Sequence, residues 1–190
     1  MKKILFSLLL AVFVVEGCAT TKFKNISSQV TPGTHYQKII VHNNLEDSQT
    51  RQTVEDAVVQ QFQAVGVSAT ASYTLFPAGS TLVWADKKKT IQADGFDAGL
   101  LVQIVDSYSN TTPEIFANHC AVDVSIAHFK IQTKIVETSG FAVVWQAQSS
   151  SREGMADSGD FSVRGMMTSY AATLVGELQN EGVVVGTKAN

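Results

Sequence analysis

Residues 37–66 read QKIIVHNNLEDSQTRQTVEDAVVQQFQAVG, and the two halves of this stretch carry different periods. Gln37 to Val41, centred on Lys38-Ile39-Ile40-Val41, is short and β-branched, which predicts a strand. Val54, Ala57, Val58, Phe62 and Val65 then recur at three- and four-residue spacings, so a helix would gather them on one face. Asp47 or Ser48 is suited to cap that helix. Gly66 is suited to end it, because a helix C-terminus favours glycine in a left-handed conformation. From Val67 to Leu75 apolar residues alternate in part (Val67, Ala69, Ala71, Tyr73, Leu75), which predicts a second strand ending before Pro77. The folded part thus opens strand, helix, strand.

Outward from this unit, Asp86–Gln92 predicts a short helix ahead of Gly95. Phe96–Val105 is almost continuously apolar, as expected of a central strand covered on both faces. Ser107–Asn118, with Asn110, Thr111, Thr112 and Pro113, reads as a loop. In the next stretch Val122, Val124 and Ile126 share one parity, and Phe129, Ile131 and Ile135 the other. That switch predicts a bulge near Ala127-His128. Glu137-Thr138-Ser139-Gly140 supplies a turn, after which Val143, Trp145 and Ala147 alternate with Trp145 expected in the core. A last helix, capped by Asp160 or Ser162, runs to Asn180 with Met166, Met167, Tyr170, Leu174 and Leu178 inward. Gly182 ends it, and Val183-Val184-Val185 is a candidate edge strand. The expected fold is α+β: one mixed, mostly antiparallel sheet with two main helices packed on one face.

The amino terminus has a different character. Lys2 and Lys3 precede an apolar run from Ile4 to Val15, then Glu16-Gly17-Cys18. This is the pattern of an export signal, and the run is too short to span ~30 Å of hydrocarbon. Cysteine at the cleavage point, with Val15 and Gly17 before it, resembles the lipobox of bacterial lipoproteins, in which that cysteine becomes the lipid-modified first residue. The resemblance implies lipidation at Cys18, and Ala19, which is not the aspartate of inner-membrane retention, implies the outer membrane with the domain facing the periplasm. Glu16 departs from the family's preference for a small uncharged residue, and ordinary cleavage after Ala19 is the alternative. The expected organisation is a signal peptide over 1–17, a lipidated cysteine with a flexible tether over 18–36, and a single domain over 37–190.

Lys38–Val41 with its capped helix, Gly95-Phe96-Asp97-Ala98-Gly99-Leu100-Leu101-Val102, and Val143-Val144-Trp145-Gln146-Ala147 carry a further likeness. Together they resemble the amino-terminal domain of TolB, the curli-secretion lipoprotein CsgG and the lipoprotein activators of penicillin-binding proteins. What this implies is a non-enzymatic scaffold that docks onto envelope machinery, with no functional residue carried over.

Charge and chemistry narrow the remaining classes. Taking Lys2, Lys3 and Glu16 from the 14 basic and 17 acidic residues leaves a formal charge of −4, which argues against a nucleic-acid partner. Cys120 has no intrachain partner once Cys18 is lipidated or removed, and is expected to be buried as a small apolar residue. His35, His42, His119 and His128 show no metal-binding spacing, so neither a metal nor a cofactor is expected. No Gly-x-Ser-x-Gly elbow or phosphate-cradling glycine loop occurs, and no catalytic residue is assigned. Trp84 beside the basic run Lys87, Lys88 and Lys89 is the candidate partner surface; a solvated helix start is the plainer reading. The function expected is that of a lipid-anchored, non-catalytic envelope protein docking onto a protein partner. Its rival is a small-ligand or peptidoglycan-binding domain. A pore-forming subunit is a weaker third, since the hairpin from Val122 to Ser149 is long enough for barrel strands.

Overall fold

Strong local periods at 48–64 and 163–180 become the two long helices, and the sheet assembles beside them. The structure, a computed structural model, describes residues 20–77, 83–115, 121–156 and 163–185. In chain order the elements are β1 (Thr20–Ser28), β2 (Lys38–Asn43), α1 (Ser48–Ala64), β3 (Ser68–Ala71), the single turn α2 (Ser72–Leu75), α3 (Trp84–Ala93), β4 (Ala98–Ile115), β5 (Ala121–Glu137), β6 (Val143–Ala156) and α4 (Val163–Asn180). The strands form one sheet in the order β1-β6-β5-β4-β2-β3. β2 is parallel to β3 and β4, and the remaining pairs are antiparallel. This is the expected mixed α+β fold, with β4 as an interior strand.

Helices α1 and α4 cover one face. Val54, Val58 and Phe62 of α1 meet Met167, Leu174 and Leu178 of α4 over Ile39, Val41, Leu100, Ile135 and Trp145. Each such side chain, fully buried, contributes about 1.5–3 kcal/mol of transfer free energy. Asp47 caps α1 by accepting from the Thr50 backbone N–H at 2.7 Å. Gly66 closes it at φ +83°. On the opposite face Ile40, Phe76, Ile91 and Phe96 form a second, smaller core. Because Ile40 alternates with Ile39 and Val41, that core places α2 and α3 on the side away from α1 and α4.

Five expectations are corrected. The tether expected over 18–36 contains β1, which pairs with β6 from Thr20↔Arg152 to Ser28↔Trp145. Its polar sequence lacks an apolar period, yet the β6 backbone satisfies its amides, Thr21 Oγ1 lies 2.8 Å from Ser151 Oγ, and the Phe23 ring packs 5.9 Å from Tyr170. The strand expected over 67–75 stops at Ala71, because buried Glu55 accepts from the Tyr73 backbone N–H at 3.0 Å and turns the chain into α2. The loop expected at 107–118 is strand as far as Ile115, held by continuous pairing to β5. The bulge lies in β4, between Ile104 and Asp106, while β5 keeps its register through Ala127 and His128. Ala127, Ile131 and Ile135 are all buried on one face, so the parity switch marks a change in which face is apolar and not a kink in β5. Finally, Val183 and Val184 are buried without forming a strand, and the Val183 carbonyl accepts from the Tyr36 N–H at 3.2 Å.

Candidate functional site

Arg51 and Glu55 stand one turn apart on α1, and Glu55 interrupts the apolar stripe between Val54 and Ala57. Its side chain is fully buried. A carboxylate there requires partners, since an unpaired buried charge costs several kcal/mol. Oε1 accepts from Arg51 Nε at 2.9 Å, Ser72 Oγ at 3.0 Å and the Asn43 N–H at 3.0 Å, while Oε2 accepts from the Tyr73 N–H at 3.0 Å. One side chain thereby ties α1 to the end of β2 and to the start of α2.

Ser72 is the hub of this network. Its hydroxyl proton goes to Glu55, so its oxygen accepts from Arg51 Nη2 at 2.8 Å and from His42 Nδ1 at 2.8 Å. The hydrogen bonds therefore assign His42 the Nδ1–H tautomer and leave Nε2 as an acceptor. Burial, reinforced by the nearby Arg51 and Lys87 charges, lowers the His42 pKa below its ordinary value, against the opposing pull of Glu55. The order of groups differs from that of an activated serine. Here the histidine donates to the hydroxyl instead of accepting from it, and Ser72 is itself buried.

This network forms the polar end of an open pocket of about 250 Å³ on the face of the sheet away from α1 and α4. Ile40, Gly99, Leu101 and Val136 make its floor, and Phe76 and Ile91 one wall. Gly99 is decisive for the floor's depth. A Cβ built there would meet nothing closer than Ile40 Cγ2 at 3.7 Å, so the missing side chain leaves room and is not forced by crowding. A glycine inside a strand often marks close approach by another group. Phe141, which also lines the pocket, holds the left-handed conformation at φ +55°. A bulky residue there carries strain of about 1–3 kcal/mol, of a kind that collects at binding sites.

The residues singled out from sequence fall around this pocket in part. Lys87 lines it, with Nζ 5.8 Å from the Phe76 ring centre. Lys88 stands 4.3 Å over the Phe141 ring. Lys89 faces away and pairs with Asp86 at 3.5 Å. Trp84 opens α3, and its side chain lies outside the described residues, as do Cys18 and Cys120. His128 stacks on Tyr108 with ring centres 4.6 Å apart and reaches Asn110 Oδ1 at 3.0 Å, far from the pocket. Sequence reasoning missed His42, Arg51, Glu55, Ser72, Gly99 and Phe141. The one available signal was an acidic residue set inside a helix's apolar stripe, four residues after an arginine. Among the described residues, no group of three or more His, Cys, Asp or Glu side chains is placed to hold a metal, and no helix is long and apolar enough to cross a membrane.

The chain is similar in fold to PelC. The PelC dodecamer from Paraburkholderia phytofirmans superposes with a TM-score of 0.50 at 16% identity, over 85% of this chain and 97% of that one. A variant of the same dodecamer in another crystal form gives 0.51 at 15% identity, over 85% and 98%. Lipoprotein GNA1162 from Neisseria meningitidis matches more loosely, with a TM-score of 0.43 at 16% identity over 75% of this chain and 98% of that chain. No protein-family model matches the sequence, and no curated protein matches it.

Proposed function

We propose that this chain is a lipid-anchored, non-catalytic envelope protein that docks onto a protein partner, and that the partner seats an apolar side chain in the pocket beside α3. The observation that carries the reading is the pocket's size and rim. At about 250 Å³ it falls below the ~300–1,000 Å³ usual for small-molecule sites. It is well matched to one aromatic or branched side chain, the kind of anchor that dominates protein interfaces. Lys87 supplies a cation at the edge, which favours an acidic flank on the partner. The PelC structure of similar fold is described as a dodecamer, which supports assembly with other chains as the use of this fold. Anchoring through Cys18 at the outer membrane, and kinship with the TolB-like group, rest on the sequence and belong to the same proposal.

The rival reading, a small-ligand or peptidoglycan-binding domain, is favoured by the convergent polar groups His42 and Arg51 at one end of the pocket. One experiment separates the two. The mature protein is purified from detergent-solubilised membranes alongside Gly99→Val, which fills the pocket from its floor. The expected result is a stoichiometric protein partner lost in Gly99→Val, with circular dichroism unchanged. A small molecule found by mass spectrometry in place of a protein would favour the rival. Retention of the partner by Gly99→Val would refute the role of the pocket. Palmitate labelling that survives Cys18→Ser would refute the anchor.

A further inference from the structure

β1, β5 and β6 present a basic surface on the side of the sheet away from α1 and α4. Ser149, Ser151, Trp145 and Ala147 are buried on the helical side of β6, so Arg152 and, through their pairing to Ser150, Gln148 and Gln146, Lys22, Lys24, Lys130 and Lys134 share the other side. Lys22, Lys24, Lys130 and Arg152 line one shallow depression of about 360 Å³ together with Tyr108 and His128. Across residues 20–24, 103–110, 126–134 and 146–152 the one acid is Asp106, already paired with Lys130 at 2.8 Å. A chain of formal net charge −3 thus concentrates five cations on one sheet face.

The position of this face relative to the amino terminus gives it a direction. Cys18 precedes Thr20 by two residues, a reach of roughly 7 Å. Thr20 pairs with Arg152, Arg152 with His128, and His128 with Tyr108, so the row of cations begins where the anchor would attach. Past that row, toward the anchor side, β4 continues seven residues from Tyr108 to Ile115, about 23 Å at 3.3 Å per residue. A sheet standing upright on its anchor would drive this ribbon, with the open edge of β4, into hydrocarbon, where unpaired backbone groups are costly. A sheet lying along the membrane avoids that cost. Its helical face is covered by α1 and α4, and the face left to meet the bilayer is the cationic one. Leu101 in the pocket floor is seven residues from Tyr108 on β4, so the pocket lies about 23 Å along the same face from this row.

We propose that Lys22, Lys24, Lys130 and Arg152, at the anchor end of this face, rest on the phosphate-bearing headgroups of anionic lipids. This orientation rests on the anchoring at Cys18 proposed above, whereas binding of the unacylated chain to lipid does not. The mature chain carrying Cys18→Ser, hence without acyl groups, is floated with vesicles of phosphatidylcholine alone or phosphatidylcholine mixed with phosphatidylglycerol. Binding is expected only to the mixed vesicles and is lost in high salt, where surface charges are screened. Each lysine near an anionic surface strengthens binding by roughly fivefold, so Lys22→Gln combined with Lys24→Gln is expected to weaken it by roughly 25-fold. Both side chains are exposed on an edge strand, and an unchanged melting transition would confirm that folding is intact. Equal binding to the two vesicle types, no binding to either, or an unchanged double variant would overturn the proposal. So would a chain that binds soluble polyphosphate but ignores the vesicles. Palmitate labelling of the native protein reports separately on the anchor, so either idea can fail alone.

Discussion

Replacing Glu55 by alanine tests whether one buried carboxylate holds α1, β2 and α2 in register. The substitution strands four donors: Arg51 Nε, Ser72 Oγ and the backbone N–H groups of Asn43 and Tyr73. Arg51 can swing toward the open pocket and Ser72 can rotate its hydroxyl, but the two backbone groups belong to fixed elements. Each buried donor left unsatisfied costs about 1–3 kcal/mol, and removing one partner of a buried ion pair costs about 3–5 kcal/mol. The expected loss is therefore about 4 kcal/mol, a large fraction of the ~5–15 kcal/mol that holds a domain together. Glu55→Gln keeps the volume and one acceptor but turns an amide donor against a backbone donor, and is expected to cost about 2 kcal/mol. Urea unfolding of the mature chain measures both. At a slope of ~2 kcal/mol per molar, Glu55→Ala should lower the midpoint by about 2 M and Glu55→Gln by about 1 M. A loss below about 1 kcal/mol for Glu55→Ala, with cooperative unfolding retained, would show that the network is incidental to stability.

Two further outcomes follow from the same region. The His42 pKa is lowered in the fold from 6.5, chiefly by burial, so below that value the unfolded chain takes up the proton first. Its contribution to stability is full above pH 6.5 and is lost progressively as the pH falls from that value to the lower pKa of the folded state. His42→Asn keeps a donor near Ser72 and should flatten this part of the melting-temperature profile. An unchanged acid limb in the variant would place the titration elsewhere. At the end of α1, Gly66 sits at φ +83°, where a Cβ is strained, and Gly66→Ala should cost about 1–2 kcal/mol by urea titration. A stabilising effect there would contradict the observed cap.

The apolar rhythm of residues 54–65 and 166–178 is a local property, and it alone determined the two long helices and the faces they bury. Asp47 and Gly66 likewise marked the limits of α1, since capping depends on a few consecutive residues. Alternation of Trp145 and Ala147 placed both inward, because strand geometry fixes which neighbours share a face, whereas Val143, expected on the same side, is exposed beyond a register shift between β5 and β6. Only the tertiary structure decided that Thr20–Ser28 is a strand, because its amides are satisfied by β6, some 130 residues away, whatever its own side chains are. It also decided the extent of β4. The polar residues of 107–115 read as a loop until the β5 ladder supplies their hydrogen bonds. The pocket was equally hidden: His42, Arg51, Ser72 and Gly99 come from four separate elements, and no spacing along the chain records that they meet. Glu55 stands out in the sequence only as an acid inside an apolar stripe, and it is a structural anchor because β2 and α2 turn backbone donors toward it. Local patterning says which side of an element must be buried. What it is buried against, and which polar groups are trapped there, depends on long-range pairing that a periodicity cannot encode.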